Sequence, residues 1–130
     1  KLGATAYIAQ AVVIGDRYPY LTALIVPNFE NLEIYFAEKG IKGLSREEMA
    51  AHPDTEALVA EAVKKVNLEL ASHERIRRFS LLPREFSLEA GELTPTMKVR
   101  RRVVAERYRD VIEAMYLKTQ KAFDLGAGED

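Results

Sequence analysis

Two short β-branched runs near the start of the chain restrict its fold more than any other feature. Ile8-Ala9-Gln10-Ala11-Val12-Val13-Ile14 ends at Gly15, and Tyr20-Leu21-Thr22-Ala23-Leu24-Ile25-Val26 stops at Pro27. Apolar runs this short, rich in Val and Ile and bounded by Gly or Pro, read as buried strands rather than helices. Asp16-Arg17-Tyr18-Pro19 is the turn between them, and the simplest pairing is an antiparallel hairpin at the core of a sheet.

Beyond Pro27 the pattern becomes helical. Asn28 is placed to cap a helix through Phe29, Leu32, Phe36 and Lys39, with Gly40 to end it. Ser45 and Glu48 have capping-box spacing, and Leu44 can staple against Met49. Pro53 opens the longest helix, with Asp54 and Glu56 at its positive end. Leu58, Val59, Ala62, Val63, Val66 and Leu70 form its core stripe, and Lys64, Lys65 and Glu69 lie largely opposite. His73 is read as the end of that helical region. Ile76, Phe79, Leu81, Leu82 and Phe86 then suggest an extended segment, with an edge or bulge at Pro83. Val99, Val103, Val104, Tyr108, Val111, Ile112, Met115 and Tyr116 make one stripe of a last helix, which places Tyr108 and Tyr116 in the core. Periodicity fades after Lys118, and 126–130 reads as a frayed terminus. The expected fold is therefore α+β: a small sheet, made of the N-terminal hairpin plus one extended segment, packed with about four helices. The expected division is a domain over 1–118 and a tail over 119–130.

Composition removes several function classes. The 130 residues suit one domain, and 48% apolar with 30% charged describes an ordered chain. A net charge of −1 provides no overall field for nucleic acid. There is no cysteine, which fits a reducing, cytoplasmic setting, and His52 and His73 are too few and too far apart for a histidine metal site or triad. No apolar run reaches the roughly 20 residues that span a bilayer. The chain starts at Lys1 without an initiator methionine, reads there like the tail of a helix, and is expected to be a piece of something longer.

One stretch breaks the local rules. Gly91-Glu92-Leu93-Thr94-Pro95-Thr96-Met97-Lys98-Val99-Arg100-Arg101-Arg102 delivers four cations to a helix start, where the helix dipole disfavours them. Either solvent screens an exposed basic turn, or an anion comes to it. Lys98 follows a proline that limits the loop, so its ammonium suits a developing oxyanion or a carboxylate–phosphate junction. The arginines suit steering or a bidentate clamp. Paired carboxylates, a glycine-rich phosphate cradle, a Ser–His arrangement and a metal-ligand cluster are all missing from the pattern. The residues alone thus support two readings: a domain donating one cation to a site built elsewhere, or a stand-alone interaction module whose basic helix start docks an acidic partner.

Taken together, the run from Gln10 to Asn28, then His73-Glu74-Arg75-Ile76-Arg77-Arg78-Phe79, then Gly91 to Arg101 resembles the C-terminal domain of bacterial long-chain acyl-CoA synthetases, AMP-forming members of the adenylate-forming ligases. The resemblance implies a mobile lid of a larger enzyme, inactive alone. Its partners would be the N-terminal domain of the same chain and a fatty acid. ATP, Mg2+ and coenzyme A would be bound mainly by that other domain. Lys98, by its place in Leu-Thr-Pro-Thr-x-Lys, would be the adenylation lysine. Arg100 and Arg101 would steer phosphate or form closure contacts, and Lys65 would sit near the nucleotide end of coenzyme A, against the reading of a solvated helix face that it shares with Lys64. The hinge and the thioester-forming hairpin would precede Lys1. The location implied is cytoplasmic, with peripheral attachment at the inner face of a membrane left open.

Overall fold

In a computed structural model, residues 5–15, 18–116 and the backbone of 123–124 are described. The expected helix tail runs over 1–7, of which 1–4 lie outside the described residues and 5–7 form a turn, not a helix; part of the first turn (16–17) and the expected frayed terminus also lie outside them. In chain order the elements are β1 (Ile8–Ile14), β2 (Leu21–Pro27), α1 (Phe29–Glu38), α2 (Arg46–Ala51), α3 (Pro53–Asn67), a single 3-10 turn (Ser72–Glu74), β3 (Ile76–Leu81), α4 (Arg101–Arg107), α5 (Arg109–Met115) and β4 (Phe123–Asp124).

The hairpin forms as its sequence demands. β1 and β2 pair antiparallel, from Ile8 opposite Pro27 to Ile14 opposite Thr22. Pro27 is the last residue of β2 rather than a stop before it, and the register shifts between Ile8 and Gln10 at this end, an irregularity that accommodates a residue without an N–H. At Gly15 the Leu21 side chain fills the space a Cβ would take, so a larger residue there would need the Leu21 methyl to shift.

The extended segment becomes β3, and its direction is the main addition to the expected fold. β3 pairs parallel with β2, matching Thr22 to Arg78 and Ile25 to Leu81. Parallel neighbours need a long crossover, which α1 to α3 supply. The sheet order is β1-β2-β3-β4, and β4 is a two-residue strand antiparallel to β3. Pro83 lies beyond the end of β3, so no bulge forms at it; the irregularity of this pairing falls between Leu21 and Thr22 instead.

β2 is central and buried from Thr22 to Val26. Its alternation serves two cores. Leu24 and Val26 join Val12, Ile14, the α1 residues Phe29, Leu32 and Phe36, and Val104, Ile112 and Met115 from α4 and α5. Ala23 and Ile25 face Val59, Ala60 and Val63 of α3, together with Phe79 of β3. Helices thus cover both faces of a small sheet, the layered arrangement expected of an α+β domain.

Local signals explain most helix ends. The Asn28 side chain accepts from Asn31 N–H at 3.1 Å. Gly40 takes φ +79°, while Gly40 N–H reaches Ala37 O at 3.0 Å and Ile41 N–H reaches Phe36 O at 2.8 Å, a Schellman end. Both bonds of the Ser45–Glu48 capping box are made, at 2.8 and 3.0 Å. The end of α3 departs from expectation. Val66 is 42% exposed, because Asn67 takes the face toward β3. Its amide donates to Ile76 O at 2.8 Å and accepts from Ile76 N–H at 2.9 Å, fixing the helix against the strand. His73 does not end α3; it lies in the separate 3-10 turn, and Arg75 Nε donates to Leu70 O at 3.0 Å nearby.

The last helix is two. Tyr108, at φ −105° and ψ 26°, separates α4 from α5, although Tyr108 N–H still reaches Val104 O and Ile112 N–H still reaches Tyr108 O, each at 2.9 Å. Arg107 points to Glu92 and the Tyr108 ring meets Phe86 edge-on at 6.2 Å, so neighbouring residues both face the 86–92 segment. A regular helix sends neighbours about 100° apart, and the break resolves the conflict. Tyr108 and Tyr116 are half-buried at the rim of the core rather than within it.

Candidate active-site loop

The Gly91–Arg100 segment is a small hairpin of its own. Gly91, at φ +78°, turns the chain into it. Leu93 and Val99 form an antiparallel bridge, Thr94 N–H donates to Lys98 O at 2.8 Å, and Arg100 N–H donates to Glu92 O at 2.8 Å. Pro95 and Thr96 make the tip, closed by Met97 N–H to Thr94 O at 2.7 Å. The Thr94 hydroxyl accepts from Lys98 N–H at 3.0 Å and meets the Thr96 hydroxyl at 3.1 Å. Met97 adopts φ +67°, the place usually given to glycine after a turn of this kind.

Lys98 is thereby held by its backbone on both sides while its side chain is exposed. Its ammonium has no ion-pair or hydrogen-bond partner among the described residues. Such a lysine is an exposed donor on a fixed stretch of backbone, which suits a carboxylate or phosphate oxygen from outside the domain. Arg100 is the residue before α4 and is exposed; α4 itself begins at Arg101, not near Val99. The Arg101 guanidinium donates to Val13 O, tying the loop's exit to β1. Arg101 and Arg102 line a groove of about 420 Å³ with Ile14, Gly15, Tyr18 and Arg109. No acidic residue occupies the first turn of α4, but Glu106 and Glu113 line the same groove as its arginines.

Lys65 is not brought to this place. It is exposed in the last turn of α3, like Lys64, and α3 covers the Ala23–Ile25 face of the sheet, whereas α4 covers the Leu24–Val26 face. Cations suit that helix end without any ligand. The described residues contain no group of three or more His, Asp or Glu side chains that could hold a metal ion.

Two residues beneath the loop escape sequence reasoning. Glu92 is 4% exposed, and its carboxylate accepts from Ser87 N–H at 3.0 Å and pairs with Arg107 Nε at 3.3 Å. Arg107 also donates to Ala90 O at 3.0 Å. Neither residue stands at a helical or strand period from the other, and the only hint is an acid placed at the entry of a loop otherwise full of cations. Burial raises the phenol of Tyr108, and the nearby Glu92 carboxylate adds to the shift.

Known proteins resemble this chain in sequence and fold. A family model described as the AMP-binding enzyme C-terminal domain matches residues 2–120. A long-chain-fatty-acid–CoA ligase of Mycobacterium tuberculosis, FadD15, is 44% identical over 119 residues, which is 91% of this chain and 20% of that protein. Long-chain-fatty-acid–CoA ligase 1 of Cavia porcellus is 32% identical over 112 residues, 84% of this chain and 16% of its own length. The chain thus spans about a fifth of the curated relatives it matches. Among solved structures, the A-PCP didomain of carboxylic acid reductase from Segniliparus rugosus, in complex with AMP, aligns with a TM-score of 0.63 at 29% identity, over 88% of this chain and 14% of that one. The adenylation domain of a carboxylate reductase from Mycobacterium chelonae aligns with a TM-score of 0.64 at 27% identity, over 85% of this chain and 16% of that one. A family-model match running nearly end to end, with a relative 44% identical over 91% of the chain, means that this chain belongs to the AMP-binding enzyme C-terminal domain family.

Proposed function

We propose that this domain, over 1–118 with a tail from 119, is the moving lid of an ATP-dependent long-chain fatty acid–CoA ligase and that Lys98 is its adenylation lysine. The observation that carries the reading is Lys98, whose backbone the loop fixes and whose exposed ammonium is left without a protein anion among the described residues. In the first half-reaction a fatty-acid carboxylate oxygen attacks the α-phosphorus of ATP, and the bond to pyrophosphate breaks. Two anions must approach each other, and a cation already in place lowers that barrier without reorganisation. In the second, the coenzyme A thiol attacks the acyl carbon and AMP leaves. Lys98 serves the first half-reaction, and the lid turns away for the second. Arg100 and Arg101 steer phosphate toward the loop or hold the closed state, with Arg101 braced on β1. Lys65 would meet the nucleotide end of coenzyme A only from the far side of the sheet, which favours its reading as a solvated residue. Mg2+ would be held by the N-terminal domain together with the triphosphate. The names of the relatives support the acid class and the ligase chemistry. No helix of the described residues is long and apolar enough to cross a membrane.

The test uses the full-length chain that carries this domain, comparing wild type with Lys98→Ala in two assays. Fatty-acid-dependent ATP–pyrophosphate exchange is expected to fall about 100- to 1000-fold, the scale for losing one preorganised donor. Thioester formation from pre-made acyl-adenylate is expected to persist, and the isolated domain should give no acyl-CoA. Unchanged exchange in Lys98→Ala would return the basic cluster to a solvated helix start.

A further inference from the structure

The Lys98 loop is only as well aimed as its base, and its base is built on a buried charge. Glu92 carries the only buried carboxylate among the described residues. Its main chain closes the open end of the loop, accepting from Arg100 N–H at 2.8 Å and donating to Ser87 O at 3.0 Å. Its side chain ties that end to two further elements: to the 87–90 turn through Ser87 N–H at 3.0 Å, and to the last residue of α4 through Arg107 Nε at 3.3 Å. Arg107 completes the frame on Ala90 O at 3.0 Å. Chain, loop and α4 from 92 to 107 therefore form a ring closed by one ion pair, and Lys98 sits within it.

Stability does not explain this arrangement. Arg107 is half exposed, so the pair is screened and contributes little to folding, while the burial of Glu92 carries a desolvation cost that an apolar pair would avoid. What a charged, multiply bonded anchor supplies is orientation. We propose that Glu92 and Arg107 are a positioning pair that aims Lys98 for adenylation; this rests on the reading of Lys98 given above. Neither touches substrate, and both act through the loop.

The experiment places Glu92→Gln, Arg107→Gln and Arg107→Lys in the full-length chain, each alone and with Lys98→Ala. Glu92→Gln keeps shape and the Ser87 contact but removes the charge that Arg107 meets. Its kcat for ATP–pyrophosphate exchange should fall by on the order of tenfold to a hundredfold, the scale of a displacement of about 1 Å at a reacting centre. KM for ATP and fatty acid, and thioester formation from pre-made acyl-adenylate, should hold. Arg107→Gln should match it, and Arg107→Lys should recover part of the loss. On the Lys98→Ala background neither substitution should cost anything more. The inference is overturned if exchange is unchanged, if both half-reactions fall together, or if the losses add to that of Lys98→Ala, which would make the pair merely structural. Should Glu92→Gln fail to fold, Arg107→Lys, which keeps a cation beside the buried carboxylate, carries the comparison as a partial loss. If Lys98→Ala itself leaves exchange intact, the reading of Lys98 falls first; if only the pair's substitutions are silent, that reading stands and this inference alone fails.

Discussion

Met97 shows how much the loop concedes to its function. A left-handed backbone costs a residue with a Cβ about 1 kcal/mol or more, and glycine nothing. Met97 accepts that cost at φ +67° with a side chain 63% exposed, so packing does not repay it. Met97→Gly is expected to leave stability unchanged or raise it by up to about 1 kcal/mol, the balance of relieved strain against a more flexible unfolded chain. Equilibrium denaturation in urea measures this directly. A loss above about 1 kcal/mol would mean that the thioether is packed in the folded domain. The sequence shows a loop limited by Pro95, but not that it closes as a hairpin. The strain at Met97 is not visible, because nothing about methionine marks it for φ > 0.

At the scale of elements, α5 is fastened to the hairpin by its last tyrosine. Tyr116 stacks on Tyr18 with ring centres 4.0 Å apart and tilts against Tyr20 at 4.9 Å. Its hydroxyl donates to Tyr20 O at 2.7 Å and lies 3.2 Å from the Thr22 hydroxyl. The buried Arg78 guanidinium donates to Met115 O beside it, a cation at the negative end of the helix. Burial raises the Tyr116 phenol above its ordinary value of 10.0, with the Thr22 bond opposing in part. The sign depends on which state holds the proton. Above pH 10 the unfolded chain gives up the phenol proton first, so unfolding releases a proton and stability falls as pH rises toward the folded value. Below that window the full contribution is present. Tyr108 shifts in the same direction through burial. Tyr116→Phe should be less stable than wild type at pH 8, by about 1–2 kcal/mol for the lost hydrogen bonds to Tyr20 O and Thr22, and should lose less on going to pH 11. Thermal unfolding at the two pH values gives both differences, and parallel losses in the two proteins would exclude Tyr116 as the titrating contributor.

Across the whole molecule, the parts legible in sequence are those encoded within a few residues: the Asn28 and Ser45 caps, the Gly40 end, Pro53 opening α3, and the two runs of the hairpin. What escaped is set by partners distant in the chain. The parallel direction of β3 depends on how α1 to α3 pack, the outward turn of Val66 depends on Asn67 reaching Ile76, and the break at Tyr108 depends on Phe86 and Glu92. The site divides likewise. Lys98 is found by its motif, whereas the Glu92–Arg107 base is a tertiary contact.

That dependence on distant partners makes Phe79 the residue on which the layers join. It is 1% exposed on β3, opposite Ala23 of β2, and packs with Val59, Ala60 and Val63 of α3. β3 reaches the sheet only through the crossover, so Phe79 links the far helical layer to the strands that carry the hairpin and, through the other face, to α4 and the lysine loop. Phe79→Ala should cost about 3–5 kcal/mol, a large part of the roughly 5–15 kcal/mol typical of a domain. If the two cores on either side of β2 form one cooperative unit, denaturant unfolding shifts to a lower midpoint with an unchanged slope, because the surface exposed on unfolding is the same. If the α3 layer melts by itself, the slope falls or the transition splits, with the signal from the Tyr18–Tyr116 stack surviving to higher denaturant. The shared central strand, buried on both faces, argues for the first outcome, since neither core can lose its partner without exposing β2.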